Sequence, residues 1–129
     1  MKIEDISSNL QILQVWDSMF VYNLNNWIAL NSENYKKYTL LDALTDKIDM
    51  LEGILTGNIL SFAKGMKINL ENEIVCKIIS LKEPRLHIIK GVKMMTFNIE
   101  FQTNISLLEY IGLGKHVSIG FGTVVKKRK

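Results

Sequence analysis

The sequence is poor in the residues on which disulfides, metal sites and most acid–base chemistry depend. Its 129 residues include one cysteine, Cys76, and two histidines, His87 and His116. A single thiol cannot form an internal disulfide, and these three residues lie too far apart in sequence to match a metal-ligand spacing. We therefore expect no disulfide, no metal site and no cofactor, and we expect Cys76 to be a core residue.

A long apolar run and a signal sequence are also missing. The longest mostly apolar stretch, residues 51–63, is interrupted by Glu52, two glycines and other polar residues, and it is too short to span a membrane. The first eleven residues, MKIEDISSNLQ, hold acids and serines where a signal peptide needs an apolar centre. We therefore expect a cytoplasmic protein without a membrane segment.

The residues that are present are typical of one globular domain. Hydrophobic residues make up 47% of the chain and charged residues 22%, and the length allows one core but hardly two. The formal charge of +3 permits an anionic partner without requiring one. The last four residues, KKRK, are all cations, and they form either a basic edge for such a partner or a solvated terminus.

The spacing of the apolar residues predicts an α+β fold. Alternating apolar residues predict four strands, within residues 10–30, 73–81, 92–103 and 117–125. A stripe with steps of three and four predicts a long helix over residues 41–66, and residues 106–112 are expected to form one or two helical turns. The link KEPRLHIIKG, which holds the single proline and His87, predicts a hairpin loop.

The order of these elements is that of the β-α-β-β-α-β, or ferredoxin-like, plan. We assign residues 1–17 to an extended lead-in segment and residues 18–129 to a single ferredoxin-like domain. The plan alone does not identify a function, because it serves metabolite sensors, small enzymes and RNA-binding domains alike.

Two glycines, Gly53 and Gly57, interrupt the predicted long helix at a four-residue spacing. Each costs up to about 1 kcal/mol relative to alanine inside a helix, so we expect this face to pack closely against another element of the chain. A small-residue face for a second copy of the chain is the alternative.

Four of the eight glycines fall within the stretch GLGKHVSIGFG, residues 112–122. Glycine reaches positive φ and lets a backbone or a phosphate come close, so this stretch predicts a phosphate-binding loop. The alternative is a loop that only packs against the sheet. The third glycine comes too late for a dinucleotide-binding fingerprint, and the sequence contains no phosphate-binding P-loop motif.

Two Gly-apolar-Gly clusters between the predicted second helix and the last strand carry a resemblance to a known family. The chain resembles the C-terminal domain of the CRISPR repeat-processing endoribonucleases, which belong to the RAMP superfamily of antiviral defence proteins. The stretches LQVWDSMFVYNLNNWIALNSENYKKY and GNILSFAKGM also look like this family, and the resemblance extends from Leu13 onward. It implies a ferredoxin-like fold, CRISPR repeat RNA as the partner, and other CRISPR effector subunits as further partners.

On this resemblance, the RNA would lie on the glycine-rich loop and on the basic residues that follow it. The candidate contacts are Gly112, Gly114, Lys115, His116, Gly120, Gly122, Lys126, Lys127 and Arg128.

Members of this family cleave RNA without metal, through attack of the 2′-hydroxyl on the neighbouring phosphate. Such cleavage needs a base that works near neutral pH, and His116 is a weak candidate because it lies in the loop. The resemblance argues against it, since the family's catalytic histidines belong to a preceding N-terminal domain. We therefore expect an RNA-binding domain that lacks the catalytic half and does not cleave RNA alone.

Two alternatives stay open. In the first, the chain is a structural module that pairs with a separate N-terminal partner domain, or with itself, without binding RNA alone. Exposure of Leu10, Ile12, Val15 and Trp16 would favour this alternative. Otherwise it is a complete small ribonuclease that uses His116 as its base.

Overall fold

A computed structural model of the chain describes residues 15–65, 74–107, 109–117 and 120–127. The elements in chain order are β1 (Val15–Trp27), α1 (Ser32–Leu40), α2 (Leu44–Gly65), β2 (Cys76–Leu81), β3 (Arg85–Ile89), β4 (Val92–Ile105) and β5 (Thr123–Lys126). The predictions for Leu10 and Ile12, and for the side chains of Val15 and Trp16, lie outside the described residues. No helix in the described part of the chain is long and apolar enough to cross a membrane.

The strands form one antiparallel sheet in the order β2–β4–β1–β5, and β3 pairs with the first half of β4. The connection from β1 through the helices to β2 skips one position in the sheet, and β4 fills the gap between them. The predicted α+β, ferredoxin-like fold is therefore confirmed.

Both helices lie on one side of the sheet. The Tyr38 ring of α1 packs edge-on against Phe97 of β4, with ring centroids 5.4 Å apart. Alternate residues of β1 and β4 meet one stripe of α2, as the periods of two and 3.6 residues require. The buried side chains that meet between the sheet and α2 are Tyr22, Leu24, Leu51, Leu55, Ile59, Phe97, Ile99 and Phe101.

A short helix, α1, precedes the long one and was not predicted as a separate element. The Asn31 side chain caps it by accepting a hydrogen bond from the Asn34 N–H at 2.8 Å. Leu41 follows with an extended backbone, so α2 begins only at Leu44. The predicted stripe begins only at Leu41, so the sequence pattern missed α1, whose buried residue is Tyr38 and which carries no apolar stripe of its own.

The predicted hairpin loop over residues 82–91 contains strand β3. Pro84 marks the break after β2, and β3 turns directly into β4 through Lys90 and Gly91, whose φ angles are 51° and 79°. Two successive positive φ values are the geometry of a tight two-residue hairpin turn. His87 therefore lies on a strand and not in a loop.

The predicted second helix is not found among the described residues between 106 and 112. Tyr110 has a φ of 68°, which a right-handed helix cannot contain. The last strand begins at Thr123 and not at Val117, because Gly120 and Gly122 adopt φ angles of 93° and 75° that no strand accommodates.

The packing predicted for Gly53 and Gly57 is wrong. Both residues are exposed on α2, and a Cβ built on either would meet nothing within 4 Å in the described part of the chain.

Candidate nucleic-acid interface

The glycine-rich stretch folds as two short arms that pair with each other. The N–H of Leu113 donates to the Gly122 carbonyl at 2.8 Å, the N–H of Val124 donates to Ile111, and that of Tyr110 donates to Val124. Gly112 forms an isolated β-bridge with Thr123. The predicted loop is thus a small hairpin whose second arm becomes β5.

This hairpin docks on the end of β1. The N–H of Gly122 donates to the carbonyls of Asn25 and Asn26 at 3.1 and 3.0 Å, and the N–H of Lys115 donates to the Ile28 carbonyl at 3.2 Å. The bonds hold both arms against the same short segment of chain, so the hairpin is fixed to the sheet at two points.

Three of the four glycines are required by close approach within the chain itself. A Cβ on Gly122, where φ is 75°, would overlap the Leu113 carbonyl oxygen. A Cβ on Gly114, where φ is 88°, would lie 2.7 Å from the Ile28 carbonyl oxygen and 2.8 Å from the Trp27 ring. A Cβ on Gly112 would lie 2.5 Å from the Val117 Cβ. These contacts leave no room for a side chain.

Gly120 differs from the other three. It has a φ of 93°, and a Cβ built on it would meet no described atom within 4 Å. Its N–H donates to the Val117 carbonyl at 3.1 Å, as the N–H groups of Leu113, Lys115 and Gly122 also donate within the chain. Those four donors are therefore already used and do not form a nest for phosphate oxygens.

The predicted basic residues do not gather on one side. Lys115 is exposed and faces the helices, where it lines the surface next to α1 and α2. Lys127 reaches across the opposite face, and its Nζ lies 2.9 Å from Glu100 Oε1. Lys126 is exposed on the edge strand β5, while the predicted contact Arg128 lies outside the described residues.

A groove of about 500 Å³ runs between the glycine-rich hairpin and the two helices. We call it the loop groove. Its polar wall comes from helix side chains and its opposite wall from the first glycine arm. The residues with polar or glycine surfaces along it are Asn31, Asn34, Asn58, Ser61, Gly112, Gly114 and Lys115.

The polar wall of the loop groove is held in place by a hydrogen bond from a buried neighbour. The Trp27 indole N–H donates to Asn58 Oδ1 at 2.9 Å. This bond orients the amide and does not involve its NH2 group. The same indole ring contacts Gly114, so one buried side chain positions both walls of the groove.

The two histidines occupy different settings. His116 lies within the hairpin at a φ of 57° and is partly exposed. His87 packs edge-on against Phe121 of the second arm, with ring centroids 5.6 Å apart, and its buried Nε2 has no hydrogen-bond partner among the described residues. Sequence reasoning placed His87 in a solvated loop and missed this contact, because the pairing register of β3 cannot be read from the sequence.

Cys76 is buried, as predicted, with its Sγ 3.6 Å from Thr103 Oγ1. Burial raises the pKa of the Cys76 thiol, so the group stays uncharged in the core. Within the described ranges, no group of three or more His, Cys, Asp or Glu side chains is placed to hold a metal ion.

Comparison with known proteins places the chain in a family. A family model described as the Cas6b C-terminal domain matches residues 14–127. An uncharacterized protein of Methanocaldococcus jannaschii is 36% identical over 113 residues, which are 87% of this chain and 76% of that protein.

Two solved structures resemble this chain in both fold and sequence. A crystal structure of Cas6b is 35% identical, has a TM-score of 0.83 and is matched over 89% of this chain and 58% of its own. A second, of the CRISPR RNA processing endoribonuclease Cas6b, is 36% identical, has a TM-score of 0.81 and is matched over 88% and 57%.

The chain therefore spans less than three fifths of each solved Cas6b chain. Csf5, a type IV CRISPR–Cas Cas6 crRNA endonuclease, has a TM-score of 0.68 at 14% identity, over 88% of this chain and 46% of its own, and shows the fold alone. From the family model, the sequence identity and the shared fold, we conclude that this chain belongs to the Cas6b C-terminal domain family.

Proposed function

We propose that the chain is the RNA-binding C-terminal domain of a CRISPR RNA processing endoribonuclease, and that it binds repeat RNA in the loop groove. The observation that carries this proposal is the groove itself, in which Lys115 stands beside a row of amide and hydroxyl side chains. The relatives named for CRISPR RNA processing supply the substrate class.

The groove has the chemistry that RNA recognition needs. An exposed lysine neutralises a phosphate, while amides such as those of Asn34 and Asn58 donate and accept hydrogen bonds with sugars and base edges. Gly112 and Gly114 allow the hairpin to pack closely on Val117 and Trp27, and this packing fixes the wall along which a sugar–phosphate chain would lie. The glycines thus act by shaping the groove and not by donating N–H groups.

The remaining predicted contacts have unequal support. Lys126 is exposed and available, whereas Lys127 is already paired with Glu100 and we expect it to contribute less. Gly120 has open space on its Cβ side and stays a candidate for direct contact with RNA. Gly122 is buried against Leu113, and its role is to close the hairpin.

We further propose that this domain positions RNA and does not cleave it. Metal-independent cleavage needs both a base and a proton donor. His116 lies partly exposed in the hairpin, and the other histidine, His87, packs edge-on against Phe121 with its Nε2 buried.

The interaction-module alternative has weaker support. The face of the sheet opposite the helices carries polar side chains, among them Asn23, Asn25, Asn98, Glu100 and Gln102. An obligate protein interface is more apolar than this. The exposed residues of that face therefore do not by themselves indicate a permanent partner.

Binding is tested by fluorescence anisotropy of labelled CRISPR repeat RNA between about 50 and 200 mM salt. We expect affinity to fall steeply with salt, and Lys115→Gln to lower the log–log slope by about 0.7, the value for one single-strand phosphate contact. Lys77→Gln, which removes the same charge on the opposite face, is the matched control. Absence of RNA binding by the wild type, or equal slopes for the two variants, would refute the proposal.

Cleavage is tested by incubating repeat RNA with the wild type and with His116→Ala in the presence of EDTA. We expect intact RNA in both reactions. Site-specific cutting by the wild type that His116→Ala abolishes would instead establish the chain as a small ribonuclease.

A further inference from the structure

A second groove lies on the other side of Lys115, between α1 and the hairpin formed by β3 and β4. We call it the hairpin groove. Its volume is about 550 Å³, within the range of roughly 300–1,000 Å³ that is usual for ligand sites. The residues on which its properties depend are Tyr35, Lys36, Leu86, Val92, Lys93 and Lys115.

The hairpin groove exposes apolar side chains that nothing in the described part of the chain covers. Leu86 is 59% exposed, Val92 53% and Tyr35 41%. Monomeric proteins rarely expose clusters of large apolar residues, and such a cluster in a concave surface usually marks a binding site. The face of the β3–β4 hairpin toward α1 is therefore available to a ligand.

The charged side chains that line the hairpin groove are all lysines. Lys36, Lys93 and Lys115 line it, and no carboxylate is among its described lining residues. The acid of the neighbouring turn of α1, Glu33, pairs with Lys37 at 3.6 Å. The ligand that this arrangement favours is therefore an anion.

An apolar floor with an exposed aromatic ring, bordered by cations, matches the way proteins bind single-stranded nucleic acid. Bases stack on aromatic and apolar side chains, and the phosphates between them follow the cations. A wholly apolar peptide would gain nothing from three lysines. An intact duplex would not offer its base faces to Tyr35, because they are already stacked.

We propose that the hairpin groove binds an unpaired stretch of the same RNA that occupies the loop groove, with a base on Tyr35 and phosphates beside Lys36 and Lys93. Lys115 lines both grooves and so joins them into one path. This inference rests on the proposed function, since it extends the RNA from one groove into the next.

The test compares two double variants with identical charge. Lys36→Gln/Lys93→Gln removes one lysine of the groove from α1 and one from β4. Lys37→Gln/Lys90→Gln removes the adjacent lysine of α1 and the exposed lysine of the turn before β4, neither of which lines the groove. Anisotropy is measured across a salt series with a single-stranded oligouridylate and with repeat RNA, and thermal unfolding checks that both variants fold.

We expect the groove variant to lower the log–log salt slope by about 1.4, for two single-strand phosphate contacts, and the control variant to leave it near the wild-type value. Equal slopes for the two double variants, in a wild type that binds RNA, would overturn this inference while leaving the proposed function intact. A wild type that binds neither RNA would instead refute the proposed function itself.

A second measurement separates stacking from charge. Tyr35→Leu keeps an apolar side chain but removes the ring, and we expect it to weaken oligouridylate binding about five- to tenfold. Tyr35→Phe should restore the wild-type affinity, because it returns the ring. If Tyr35→Leu binds as the wild type does, no base stacks there and the groove has another occupant, such as a protein segment.

Discussion

Two sets of regularly spaced glycines in this chain have opposite surroundings in the structure. Gly53 and Gly57 lie four residues apart on α2, and both are exposed with open space where a Cβ would stand. Gly112, Gly114 and Gly122 lie in the glycine-rich hairpin, and each is so close to other atoms of the chain that a Cβ would collide.

The comparison reverses what the sequence pattern predicted. Spacing on a helix predicted close packing for the first set, and clustering in a loop predicted contact with a ligand for the second. Spacing alone records only that a side chain is missing. Whether the space is filled by the chain, by a ligand or by water depends on the three-dimensional neighbours, which for Gly114 come from the segment around Trp27.

The largest effect is expected from Gly122→Ala. A side chain at this positive φ is strained by about 1–3 kcal/mol, and here it would also displace the Leu113 carbonyl, so we expect a loss of about 4 kcal/mol in the free energy of unfolding. Urea denaturation, followed by tryptophan fluorescence, measures the loss. A variant as stable as the wild type would mean that the hairpin adapts, and the contrast between the two sets of glycines would disappear.

A smaller effect is expected from Gly120→Ala, which isolates backbone strain from collision. Its φ of 93° is unfavourable for alanine, but no described atom stands in the way of the Cβ. We expect a loss of about 1–2 kcal/mol in the free energy of unfolding, from the conformation alone. The same urea titration applies, and a loss as large as that of Gly122→Ala would show that Gly120 is packed as well.

The smallest effect, and one of opposite sign, is expected from Gly57→Ala. With an exposed helix position and no neighbour to strike, the substitution should raise the free energy of unfolding by up to about 1 kcal/mol. Sedimentation of the same variant at several concentrations provides the control. Destabilisation, or loss of a self-associated form, would reveal that this face is packed against a second copy.

Much of the fold could be predicted because burial follows a simple period. The alternation in β1 and β4 and the stripe on α2 reflect one face turned toward the core, and they were located correctly. The short helix α1, the strand β3 and the late start of β5 were missed. The last two depend on local backbone angles at Lys90, Gly120 and Gly122, which apolar periodicity does not encode.

The candidate site was predictable only in part. Glycine content located the segment, and Lys115 was singled out because it is charged. The polar wall of the loop groove was not foreseen, because Asn31 and Asn58 are far from the hairpin in sequence and reach it through α1 and α2. The hairpin groove was not foreseen either, since it depends on the pairing of β3 with β4.

The long strand β4 also governs how the molecule reaches this structure. Its hairpin with β3 closes over two residues, whereas its pairing with β1 joins distant parts of the chain, since Tyr22 of β1 pairs with Phe101 of β4. Closing so large a loop costs entropy before any pairing compensates for it, which is the condition for slow folding. The glycine-rich hairpin docks on β1, so both grooves form only after β1 and β4 have paired.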